Sequence, residues 1–204
     1  MWVSVSLLCL LDTLTTGGSL PTLPNGIITT VAGGYALKTG SSGDVGPASS
    51  AKFNYIQALG TDINGNLLIV DSYNNAIRQV SVDGIVRTII GTLGSDSSTL
   101  GSGDGGPALL ATLDTPRALA MDTTGNLYIS DTFNYGIRKV DIGTTIISTV
   151  VGQLNTQWSS NDPTTGSGSS VLLLSPFALC FGPDGTLYFS DNYAGNHPPN
   201  LCRH

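Results

Sequence analysis

One motif returns every 60 residues along this chain. It reads Gly-Asn-Leu-Leu-Ile-Val-Asp at 65–71, Gly-Asn-Leu-Tyr-Ile-Ser-Asp at 125–131 and Gly-Thr-Leu-Tyr-Phe-Ser-Asp at 185–191. A fixed period of some tens of residues is the signature of a repeat architecture. Each copy is one supersecondary unit that buries its apolar faces against its neighbours. A residue present in every copy therefore serves the fold, and function is sought where the copies differ.

Four short strands are expected per unit. The first spans Ile56 to Asp62, Pro116 to Asp122 and Pro176 to Gly182. Asn64-Gly65, Thr124-Gly125 and Asp184-Gly185 follow, and such pairs mark hairpins because Gly reaches positive φ without penalty. The second covers Leu67 to Val70, Leu127 to Ser130 and Leu187 to Ser190, nearly continuous apolar runs that call for cover on both faces. The third runs over Ala76 to Val82 and Gly136 to Ile142, the fourth over Ile85 to Ile90 and Thr145 to Val151. A lone fourth-strand match, within 26–33, precedes the first unit. All 14 acidic residues are Asp, with no Glu, and there are 26 Gly. Asp and Gly favour turns, whereas Glu favours helices. The expected fold is all-β: a β-propeller fragment of about three four-stranded blades, an incomplete ring. Its units are 34–91, 92–152 and 153–193, and the lone outer strand would pair with the last blade to close it.

The net charge of -6, with eight Lys and Arg spread singly, offers no basic patch for nucleic acid. The apolar run Trp2 to Leu11 falls short of the ~20 residues that span a bilayer. Residues 1–20 leave open a secretory signal peptide, a disordered start or an N-terminal strand. The first of these would make the protein secreted or extracellular. Cys180 and Cys202 could pair in that setting. However, Cys180 stands where the other units have Gly60 and Ala120, which marks it as a small buried residue.

Several motifs together resemble NHL-repeat propellers, in particular the teneurin NHL domain type. They are Gly-Ile-Ile-Thr-Thr-Val-Ala-Gly at 26–33, Gly-Asp-Gly-Gly-Pro-Ala at 103–108, Pro-Arg-Ala-Leu-Ala-Met-Asp at 116–122 and the strand ending in Asp131. Asn134 and Ile137-Arg138-Lys139-Val140 complete the set. The likeness spans about 26–193. It implies blades of a ring that typically has six. It carries little about function, since propellers host binding, signalling and catalysis alike. The third unit departs from the pattern after Asp191. Ala194, His197 and Pro198 replace the Asn, Ile and Arg of the other units, and Pro198-Pro199 argues against a third strand. Residues 194–204 are expected to be an irregular tail, and the chain to be a truncated propeller.

Candidate residues are weighed against their roles in turns. Asp71, Asp131 and Asp191 could ring a divalent metal near a propeller axis, but recurrence favours an acceptor for N–H groups in the turn toward the third strand. Asn74 and Asn134 share that reading. Asp62 and Asp122 cap the first turn. Arg78 and Arg138 pair with a carboxylate of their own blade. Asp44 and Asp104 lie in rigid turns between blades. Tyr73, Phe133 and Tyr193 hold equivalent loop places and form either a contact surface or packing between blades. The only histidines, His197 and His204, lie in the tail, so no catalytic, cofactor or metal constellation emerges. The expected function is a non-catalytic scaffold binding a protein or glycan through blade loops, with self-association through open blade edges. The alternatives are a piece of a metal-dependent lactonase or lyase propeller, and a non-functional truncation.

Overall fold

The computed structural model describes residues 29–34, 39–95, 101–157, 166–191 and the backbone of 200–203. Three antiparallel sheets follow one another. The first holds β1 (Gly46–Pro47), β2 (Ile56–Thr61), β3 (Leu67–Asp71), β4 (Ala76–Val80) and β5 (Ile85–Ile90), in spatial order β1-β5-β4-β3-β2. The second is β6 (Pro116–Met121), β7 (Leu127–Asp131), β8 (Gly136–Val140) and β9 (Ile147–Gly152), in chain order. The third is β10 (Pro176–Phe181), β11 (Leu187–Asp191) and β12 (Asn200–Arg203). β2, β6 and β10 lie side by side as the inner strands of adjacent sheets. The architecture is all-β, with propeller-type sheets that do not close into a ring.

Local chemistry sets each hairpin. Between β2 and β3 the Gly65 N–H donates to the Asp62 carbonyl and the Asp62 N–H to the Asn66 carbonyl, both at 3.0 Å, with Gly65 at φ +79°. That is a turn closed by a left-handed glycine, and it recurs at Gly125 and Gly185. β3 and β7 each run into one turn of 3-10 helix, Ser72–Asn74 and Thr132–Asn134. Left-handed Asn75 (φ +54°) and Tyr135 (φ +58°) end these turns and reverse the chain into the third strand. Gly91 and Gly152, both at φ +86°, close the fourth strands where a Cβ would run into the carbonyl oxygens of Asn75 and Tyr135.

The nearly continuous apolar second strands are explained by sandwiching. Leu68 and Val70 face the second sheet, packing with Ile77, Ile90, Leu113, Leu127, Ile129 and Ile147. Ile69 points the other way, to Ala48, Ala51, Val80 and Val86. The seam between the second and third sheets holds, among the described residues, a smaller buried cluster: Ile137, Val151, Leu173, Leu187 and Phe189. It is also laced by hydroxyl donors, Ser130 Oγ to the Phe177 carbonyl (2.8 Å) and Thr132 Oγ1 to the Pro176 carbonyl (2.7 Å). At the first seam the equivalent places are Val70 and Ser72, whose buried Oγ finds no partner, and Thr115 N instead donates to Asn75 Oδ1.

Three expectations are corrected. Residues 29–33 form no strand, because the chain bends at Gly33 (φ +81°). The Gly33 N–H donates to Ala48 and Ala32 packs on the first unit's own core. The expected strand residues 26–28 lie outside the described residues, as does the whole of 1–20. The tail is not irregular throughout: β12 pairs with β11, Asp191 opposite Asn200. Its counterparts pair Asp71 with Ala76 and Asp131 with Gly136, so the third unit inserts four residues and leaves both prolines ahead of the strand. Finally, Cys180 is exposed and free, because it lies on a face of β10 that no described residue covers.

Candidate functional site

The repeated Asp, Asn and Arg converge inside each unit. Asp71 is fully buried; its Oδ1 accepts the Asn54 N–H (2.7 Å) and its Oδ2 accepts Asn74 Nδ2 (2.9 Å). Asp131 does the same with the Asp114 N–H (2.8 Å) and Asn134 Nδ2 (2.9 Å). Asp191 accepts the N–H groups of Leu174 and Ser175. These backbone donors lead into the first strand of the unit, not into the turn toward the third strand that the sequence suggests. The carboxylate thus ties the entry of each inner strand to the end of the second. Asp62 and Asp122 accept N–H groups of their own hairpin turns, from Asn64 and Asn66 and from Thr124 and Asn126.

Arg78 and Arg138 have no exposed side-chain surface, and each joins two carboxylates. Arg138 reaches Asp131 at 3.1 Å and Asp104 at 2.7 Å; Arg78 reaches Asp71 at 3.5 Å and Asp44 at 2.6 Å. Asp44 and Asp104 belong to the Gly-rich connections, which cross the outer edge of their sheets and also accept the Thr88 and Thr149 N–H groups. Burial pushes Asp71 above the usual carboxylate value and Asp131 up to about 6, against the Arg charge and the hydrogen bonds, and it pushes Asp191 up against backbone hydrogen bonds alone. Burial also opposes ionisation of Asp44, yet its bonds to Thr88 and Arg78 hold it below that value. In the third unit Thr164 stands at the Asp104 position and Cys202 takes the register position of Arg138, so both clamp partners are replaced together.

The loop aromatics sit at one end of the blades, where inner strands begin and second strands end. Tyr73 is 54% exposed and stacks on Tyr55, itself 52% exposed, with centroids 4.5 Å apart and planes at 12°. The stacking partner is in its own unit, not in a neighbouring blade. Phe133 is 49% exposed, with the Arg117 guanidinium 5.9 Å from its ring. Tyr193 lies outside the described residues. The opposite end carries a separate exposed apolar group, Ile63 and Ile142, close to Gly125.

Sequence reasoning passed over Arg117, Phe177 and Tyr55. Every inner strand carries a register shift just after its first residue: between Ile56 and Ala58, Pro116 and Leu119, and Pro176 and Leu179. Such a bulge re-aims a side chain. The residues at that address are Gln57, Arg117 and Phe177, one different in each unit. That difference was the available signal.

Among the described residues no three His, Cys, Asp or Glu side chains meet as metal ligands, and no helix is long and apolar enough to cross a membrane.

The profile of the teneurin NHL domain matches residues 95–167. NHL repeat-containing protein 2 of Homo sapiens is 30% identical over 126 residues, and that of Bos taurus 29%. Each alignment covers 60% of this chain and 17% of the relative, so the chain spans under a fifth of their length. A structural genomics protein of unknown function from Bacteroides thetaiotaomicron superposes on 72% of this chain and 34% of its own, with a TM-score of 0.57 and 21% identity. That likeness concerns the fold alone.

Proposed function

We propose that this chain, which carries an NHL-repeat domain of β-propeller type, is a non-catalytic scaffold that binds a protein or glycan through the end of the blades bearing Tyr55, Tyr73 and Phe133. The observation that carries this reading is the half-exposure of three aromatic rings at one end of consecutive units. Rings left in water and held stiffly by short side chains are common anchors of recognition surfaces. The repeated polar residues are meanwhile engaged inside their units, which supports a structural role for them. The competing reading, an axial divalent metal in an enzyme, would draw on Asp71, Asp131 and Asp191. Those carboxylates are turned into their own units.

Peptide and glycan arrays probed with the purified chain test the proposal. A Tyr73→Ala/Phe133→Ala variant should lose the wild-type signal, while Ile63→Ser/Ile142→Ser at the opposite end should keep it. No wild-type signal on either array, or equal losses from both variants, refutes the reading. So does a hydrolase or lyase activity that survives the Tyr73/Phe133 change. Self-association through edges that no described strand pairs, such as that of β12, belongs to the same reading and is checked by light scattering. The extracellular setting is checked by N-terminal sequencing of protein recovered from the medium.

A further inference from the structure

Arg117 stands apart from the buried arginines. It projects from the bulge of β6, with its guanidinium carbon 4.8 Å from the Phe177 ring centroid and 5.9 Å from that of Phe133. It makes no ion pair or hydrogen bond to any described residue. Its Nε is shut from solvent without an acceptor, as is that of Arg138, so what sets Arg117 apart is a guanidinium with no carboxylate on any of its nitrogens among the described residues. The two clamp arginines, by contrast, each hold two carboxylates. A hidden, unsatisfied donor costs stability unless some occupant meets it. Flanking rings attract the cation through their faces and limit its rotamers, and the guanidinium edge remains a fork suited to one carboxylate.

From this geometry we infer that Arg117 is the anchor for a carboxylate of a protein partner, an Asp or Glu side chain set among apolar residues. The inference rests on the binding face proposed above and names its ligand chemistry. A single guanidinium balances one negative charge, which favours a carboxylate over a phosphate dianion. The chain itself carries -6, so a strongly acidic partner is repelled and one carboxylate in an apolar context is not. Phe133 and Phe177 supply the aromatic contacts beside the charge, and the Tyr55–Tyr73 stack lies at the same end of the neighbouring unit, the usual composition of an interface centre.

The test is a random 12-residue peptide display selection on the intact immobilised chain, followed by anisotropy titration of individual peptides. Peptides that need Tyr73 and Phe133 should contain an Asp or Glu. Changing that residue to Asn or Gln should weaken binding at least tenfold. Arg117→Gln should do the same, and the two losses should not add. Gln is what the first unit carries at this address, as Gln57, so the fold tolerates it; an unchanged urea midpoint checks this. Arg87→Gln, on the outer strand, should leave affinity unchanged. Peptides that depend on Tyr73 and Phe133 but ignore Arg117→Gln overturn the inference and leave the face standing. So does a phosphoserine peptide that outcompetes the Glu peptide. Failure to select any peptide, or selection of peptides indifferent to Tyr73 and Phe133, overturns both.

Discussion

Replacing Arg138 by Met removes the one positive charge that the described residues set against the fully buried Asp131. The folded variant then has two options at neutral pH. It can keep a bare carboxylate in the core, or it can take up a proton. Protonation limits the loss, because Asp131 already titrates at about 6 in the folded protein and each pH unit above that value costs about 1.4 kcal/mol. At pH 7 taking up the proton thus costs about 1.4 kcal/mol, less than the range of about 3–5 kcal/mol for leaving a bare buried charge, so the variant takes the proton. Loss of the Asp104 contact adds little, since that carboxylate is 42% exposed. With a urea slope of about 2 kcal/mol per molar, the midpoint should fall by about 0.7 M. The sign with pH is fixed by linkage. In the variant at pH 7 the folded state binds the proton and the unfolded state does not, so its stability rises as pH falls. At pH 5, below the folded value of about 6, the wild type is protonated as well and this penalty should vanish. Asp131→Asn/Arg138→Met should be milder than Arg138→Met alone at pH 7, because no proton has to be taken up. A midpoint shift below about 0.3 M at pH 7, or a penalty that does not shrink between pH 7 and pH 5, would refute the reasoning.

Other expectations follow from single positions. Val45 is a β-branched residue at φ +61° and 73% exposed, where the second unit has Gly105 at φ +78°. Val45→Gly should relieve about 1–2 kcal/mol of strain, less about 0.5–1 kcal/mol of chain entropy, and so raise Tm by up to about 6 °C; a lower Tm refutes this. Gly152→Ala should cost at least about 2 kcal/mol in urea melts, because the new Cβ meets the Tyr135 carbonyl. Gly125→Ala, where the nearest atoms are 3.5 Å away, should cost about half as much, and equal losses would sink the steric argument. Asp122 titrates at about 2: burial works against this, but bonds from Thr124 and Asn126 prevail. Its stabilisation is full above pH 3.8 and is lost as pH falls toward 2, so the Tm of wild type should drop more steeply over that range than that of Asp122→Asn. Parallel curves would remove Asp122 from the account.

The period made the strands readable because each hairpin repeats its own local chemistry, and β5 runs over the residues that the apolar pattern marks out. What the pattern hid was long-range. Asp44 and Arg78 are 34 positions apart, as are Asp104 and Arg138, and only the path of the connection over the sheet edge brings them together. β12 was hidden by the insertion after Asp191, which shifted a strand out of step with the period while its ladder survived. Cys180 was read as buried by analogy with Gly60 and Ala120, but burial belongs to the neighbouring sheet, not to the position. Tyr73 and Phe133 were visible as equivalent loop aromatics. Arg117 was not, since a bulge leaves no mark on a short strand, even though the copies differ at that address.

The two seams between sheets should part company on cooling. The first is held mainly by aliphatic contact among Leu68, Val70, Ile77, Ile90 and the second sheet, with a buried Ser72 hydroxyl left without a partner. Apolar contact weakens as temperature falls toward freezing. The second seam has fewer apolar residues among those described but two hydroxyl-to-carbonyl bonds, from Ser130 and Thr132. The array therefore has a thermally graded grain: the first seam is the one that cold opens, and the second is the one it spares.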